Sequence, residues 1–158
     1  MAPAAIPLVI SLVGTAYGAY AQKQAGDFQA AIAKRNADAK EQEARDAQAR
    51  GLNEGVDIAL KGGQVRGAIK AGFGASGVET TSGSALDVLS DAAMFTELDK
   101  QTAKSNADRE AFALRVGAGN YLAQSSADKS SGRNAAAGTI LTGTSSAVGN
   151  YYQAKATR

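Results

Sequence analysis

Both prolines of this chain, Pro3 and Pro7, fall within the first eight residues. Everything after them can run as helix without a pyrrolidine ring to break it. The residues that follow use that freedom. AQKQAGDFQAAIAKRNADAKEQEARDAQAR, residues 21–50, is built almost wholly from good helix formers. Its opposite charges fall three and four residues apart, as on a solvated helix surface, and Phe28 and Ile32 give it a narrow apolar edge. No stretch alternates β-branched and polar residues with period two, so no sheet is expected.

One segment does interrupt the helix. GFGASGVETTSGSALDVL, residues 72–89, crowds Gly, Ser and Thr into its first two-thirds, the composition of a turn. Gly77, Ser82 and Gly83 are the expected turn residues. Ser84 and Asp87, spaced as Ser-x-x-acid, suggest a capping box that starts a second helix. In that helix Leu89, Phe95, Leu98, Ala103, Ala107, Ala111, Leu114, Ala118 and Leu122 recur mainly at three and four. Ser130-Ser131-Gly132 predicts a kink or short break before the last segment. The fold class predicted is all-α, an elongated antiparallel helical hairpin. Its first helix spans 22–73, its turn 74–84 and its second helix 85–128.

The two ends resemble each other. Residues 1–21 and 134–154 are uncharged and rich in small apolar side chains, and each is followed by a lysine. LVGTAYGAYAQK and LTGTSSAVGNYYQAK run alike from Leu-x-Gly-Thr to tyrosine and lysine. The N-terminal run has three readings: a leader, a membrane-crossing helix, or a greasy helix packed on protein. Ala19-Tyr20-Ala21 has the small-x-small form of a cleavage site, but no Lys or Arg precedes the apolar run as a leader requires. Residues 4–21 approach the roughly twenty apolar residues that span a bilayer, though much of that run is Ala, Gly, Ser and Thr. Gly14 and Gly18 form a GxxxG, which lets helices approach closely in lipid. Ile6, Leu8, Val9, Ile10, Leu12, Val13, Tyr17 and Tyr20 are the membrane-contact candidates at this end. Ile140, Leu141, Val148, Tyr151 and Tyr152 are their counterparts at the other. A hairpin brings both ends to the pole opposite its turn.

Charge follows the same division. Residues 1–26 carry Lys23 alone, and 129–158 carry four basic residues and no acid. Residues 27–128 hold 12 basic and 15 acidic side chains, a net of −3. Basic, tyrosine-tipped apolar ends suit an anionic lipid surface, and equally an ordinary helix surface.

Between the ends runs a ridge of small residues at constant spacing of four: Ala47, Gly51, Gly55, Ala59, Gly63, Gly67, Ala71 and Ala75. On an α-helix each step of four overshoots a full turn by about 40°, so the ridge drifts slowly around the helix. Glycine costs close to 1 kcal/mol per helix-interior site relative to alanine. If the tract is helical, four of them on one ridge call for close helix packing, within the hairpin or between subunits; the alternative is a helix broken there.

Catalytic chemistry finds little to work with. The chain has no Cys and no His, which removes thiol nucleophiles, disulfides and the usual general base. Gly72-Phe73-Gly74-Ala75-Ser76-Gly77 spells GxGxxG, but a helix precedes it where a phosphate-binding loop needs a strand. Glu41, Glu43 and Asp46 lack a histidine to complete a metal site, and Ser82 and Ser84 lack a base. No enzyme activity and no cofactor or metal are expected. The acidic middle disfavours specific nucleic-acid binding.

GASGVETTSGSALDVL, together with NADREAFALRVGAGNYLAQS at 106–125, resembles the small internal virion proteins, or ejection proteins, of short-tailed bacteriophages. The shared layout is an apolar small-residue N-terminus, a charged Ala/Gln-rich helix, a Gly-Val-x-x-x-Ser-Gly-Ser-Ala turn, and a helix with Arg-Glu-Ala and later Asn-Tyr. The resemblance implies copies assembled as a homo-oligomeric ring inside the capsid, near the portal and other internal proteins, in non-specific proximity to DNA. It further implies exit through the tail and a place in a host-envelope channel, with outer-membrane lipid as partner. The alternative is a purely structural head-to-tail or internal scaffold component.

Overall fold

The computed structural model describes residues 5–156, with side chains from residue 13 onward except 150, 151 and 154–156. Two helices account for nearly all of it: α1, Ala5–Ala75, and α2, Gly83–Ala156. No strand occurs among the described residues. Each helix is longer than expected at both ends. The apolar termini continue α1 and α2 rather than forming separate segments, and α2 runs unbroken through Ser130-Ser131-Gly132. The break expected there is absent because Gly132 serves a close helix contact, described below.

The turn, residues 76–82, closes α1 with a Schellman arrangement. The Val78 N–H donates to Phe73 O (2.9 Å) and the Gly77 N–H to Gly74 O (3.1 Å), satisfying carbonyls that the helix end leaves open. Gly77 sits at φ 72° and Gly83 at φ 62°, where a Cβ is strained. Gly77→Ala is therefore expected to cost about 1–2 kcal/mol, and Gly77→Asn less, read as a shift in urea midpoint at unchanged slope. The start of α2 departs from expectation. Ser84 lies inside the first turn, Asp87 lies beyond it, and among the described residues neither makes a side-chain hydrogen bond. The positive φ of Gly83 begins the helix, so no capping box is needed.

The helices divide into two compact units, residues 39–117 around the turn and residues 1–38 with 118–158 at the termini. In the turn-side unit, Ala44, Ala47 and Ala111 form a buried cluster with Leu114 packed on it. Gly51, Ala103 and Ala107 continue the seam. In the terminal unit the buried positions are Ala19, Gly26, Ala30, Ala33, Ala37, Ala118, Gly132 and Ala147. Along α1 these positions recur at steps of three, four and seven, the pattern of a coiled-coil seam, with alanine or glycine where leucine is usual. Each methyl-sized group so buried contributes only about 0.8 kcal/mol.

Polar side chains flank the turn-side seam. Arg50 pairs with Glu110 at 2.7 Å, Arg115 donates to Gln48 Oε1 at 3.0 Å, and Arg115 lies 4.0 Å from Glu41. Exposed pairs of this kind contribute roughly 0–1 kcal/mol each. Asp108 has its pKa lowered, chiefly by the hydrogen bond from Lys104, with smaller help from Gln48 and Arg115 against a desolvation effect that raises it. Its contribution is present above the ordinary carboxylate range and is lost as pH falls through the lowered value.

Candidate functional site

Most of the large apolar side chains described are exposed. Among the described residues no large side chain is fully buried and no polar one is buried, while Leu52, Val56, Leu60, Phe95, Leu98 and Phe112 are all more than half exposed. Within the expected face of α2, Ala103, Ala107, Ala111 and Ala118 are buried, whereas Phe95, Leu98 and Leu122 point to solvent. The seam selects the small members of the pattern because only they allow the backbones to come so close.

That closeness is greatest in the terminal unit. A Cβ built on Gly26 would lie 2.7 Å from Gly132 Cα and 2.8 Å from Asp128 O. One built on Gly132 would lie 2.9 Å from Gly26 Cα. Gly143 faces Thr15 in the same way, and Gly18 stands 3.6 Å from Thr139 Cγ2. Thr139 Oγ1 donates to Gln22 Oε1 at 2.8 Å, and Ser125 Oγ donates to Ala30 O across the seam, also at 2.8 Å. The two terminal segments therefore lie side by side.

The membrane-contact candidates with described side chains, Val13, Tyr17, Tyr20, Ile140, Leu141, Val148 and Tyr152, are all exposed. The side chains of Ile6, Leu8, Val9, Ile10, Leu12 and Tyr151 lie outside the described residues. Among the described residues no helix is long and apolar enough to cross a membrane. The hydroxyls in this region are turned inward along their own helix. Thr142, Thr144, Ser145 and Ser146 each donate to the carbonyl four residues earlier, at 2.6–2.9 Å. A hydroxyl so occupied costs less to bring against an apolar surface.

The small-residue ridge of α1 splits. Ala47 and Gly51 are in the seam, and a Cβ on Gly51 would collide with Ala107. Beyond them the seam advances through Gly62, where a Cβ would collide with Thr96, and the ridge at spacing four leaves it. Gly55, Gly63 and Gly67 have open space where a Cβ would stand, Ala59 is half-buried and Ala71 exposed. Gly14 likewise faces open space. The departed ridge floors a groove along one side of the turn-side unit. A depression of about 570 Å³ lies between Gly51–Leu60 and Glu97–Lys104. Another follows one turn on, between Gly63–Lys70 and Leu89–Ala93.

Sequence reasoning missed the Gly26–Gly132, Gly62–Thr96 and Gly143–Thr15 contacts. In each pair the two numbers add to 158, a register centred on the turn that composition alone does not locate. Of the acidic cluster, Glu43 pairs with Lys40 at 2.6 Å and Glu41 faces Arg115. Among the described residues no group of acidic side chains is placed to hold a metal ion.

Comparison with curated proteins and with solved structures gives no match. A family model does match, over residues 1–158, thus covering both apolar ends, the turn and the alanine seam together. With that full-length agreement, the chain belongs to the T7 virus internal virion protein gp14 family.

Proposed function

We propose that this internal virion protein, acting without catalysis, packs as an oligomeric ring near the portal. After ejection it helps form a channel in the host envelope for genome delivery. The observation that carries this reading is the inverted distribution of side chains. Among the described residues the buried positions are alanine and glycine, and most large apolar side chains are exposed. Such a surface calls for covering by other protein, first in the virion, from copies of itself, other internal proteins and the portal. At the termini, exposed tyrosines and aliphatics beside inward-bonded hydroxyls suit outer-membrane lipid later.

A second reading is a structural head-to-tail or scaffold component that never meets lipid; among the described residues no helix is long and apolar enough to cross a membrane. Liposome binding separates the two. Full-length protein should bind anionic vesicles. Deleting residues 1–21 or 134–154 should weaken binding and deleting both should abolish it. High salt should remove only the part owed to the basic ends, roughly 1 kcal/mol per Lys or Arg near the surface. Protein that ignores vesicles at every salt concentration yet enters particles normally would leave the structural reading standing.

A further inference from the structure

The groove of the turn-side unit has a defined chemistry. Its floor is Gly55, Ala59, Gly63 and Gly67, and Leu52 and Val56 stand exposed along it. Arg66 and Lys70 line its far end and, among the described residues, make no ion pair or side-chain hydrogen bond. On the α2 side, Lys100 is matched by Glu97 and Lys104 by Asp108. The groove therefore has an unbalanced positive charge over an apolar, side-chain-poor floor. Its occupant must bring bulk and carboxylates.

The same unit carries that complement elsewhere. Val88, Phe95 and Leu98 are exposed, as are Asp91 and Asp99, and among the described residues these two carboxylates also lack an ion-pair partner. Their spacing places all five within about 100° of helix surface, and none of them lines the groove. We propose that the groove receives a second copy of this chain, which inserts the Val88, Asp91, Phe95, Leu98 and Asp99 ridge of its own α2 alongside Arg66 and Lys70. Bulky side chains fill the space the glycines leave, and Asp91 and Asp99 meet Arg66 and Lys70. Groove and ridge are different patches, so each copy offers one and receives on the other. Repetition of such a heterologous contact closes a ring or extends a filament. This assignment rests on the oligomeric reading above and supplies its interface.

The test is a charge exchange in the full-length protein, read by sedimentation velocity. Arg66→Glu with Lys70→Glu should weaken self-association at least about tenfold, and Asp91→Lys with Asp99→Lys should do the same, because like charges then face each other. The chain carrying all four changes should recover to within about threefold of the original. If the parent chain oligomerises and both double variants match it, this interface is wrong and the ring reading survives. A parent chain that stays monomeric at every concentration overturns both.

A second measurement does not depend on those variants folding. The chain has no cysteine, so Gly63→Cys and Phe95→Cys introduce unique thiols. A flexible bis-maleimide should join a mixture of the two variants into heterodimers and should leave each variant alone unlinked. Efficient dimers from either variant by itself indicate a self-matching contact and overturn the proposal.

Discussion

Gly26→Ala and Gly132→Ala are each expected to destabilise the terminal unit, although alanine is the better helix former. The added methyl would meet backbone at 2.7–2.9 Å, and backbone cannot turn aside as a side chain can. Overpacking of this kind costs roughly 1–3 kcal/mol. The gain in helix propensity returns at most about 1 kcal/mol, so the clash wins. Gly119 and Gly138, in the same unit and with nothing within 4 Å of a built Cβ, provide the opposite case. Their replacement by alanine should stabilise by up to about 1 kcal/mol. Amide hydrogen exchange across residues 15–38 and 118–146 should record faster opening in the first pair and slower opening in the second. Equal slowing in all four would mean that the helices do not approach at Gly26 and Gly132.

The second large effect separates folding from assembly. Gly55→Leu, Gly63→Leu and Gly67→Leu together should leave the helix pair intact, since nothing lies within 4 Å of a Cβ built at any of the three. They should block association by filling the groove. Gly51→Leu with Gly62→Leu should fail earlier, because those side chains strike Ala107 and Thr96. Circular dichroism and sedimentation velocity together distinguish these outcomes. A triple variant that associates like the parent would remove the groove from any assembly contact.

These glycines show how far the sequence could be read. The all-helical class followed from the prolines at one end and the absence of period-two runs. The reversal followed from the Gly, Ser and Thr of 72–84. Constant spacing of four marked Gly55, Gly63 and Gly67 as unusual. It could not say that the seam advances by alternating three and four, and so leaves them for Gly62. The seam's path depends on what α2 presents opposite, and that depends on register. Register in turn depends on where the turn is centred, which composition locates only within several residues. Gly132 was misread for a related reason. A glycine required by a close neighbour and a glycine that ends a helix look the same until the neighbour is known. The apolar faces misled in the same way, because Phe95 and Leu98 carry the periodicity of a core but are too large for this one.

An alanine seam also has a mechanical character. Strength is spread over many methyl-sized contacts, so no single layer holds the rest in place. A chain drawn from its ends through a narrow passage can part like a zip, each step releasing little, instead of resisting until one large core gives way. Closing again is guided from the turn. There the two strands of the zip are already tethered by residues 76–82, and the first contacts need only short loops to close. Further along, Gly62 against Thr96, Gly51 against Ala107 and Gly26 against Gly132 act as teeth that mesh in one alignment alone. A displaced register would set larger side chains against backbone.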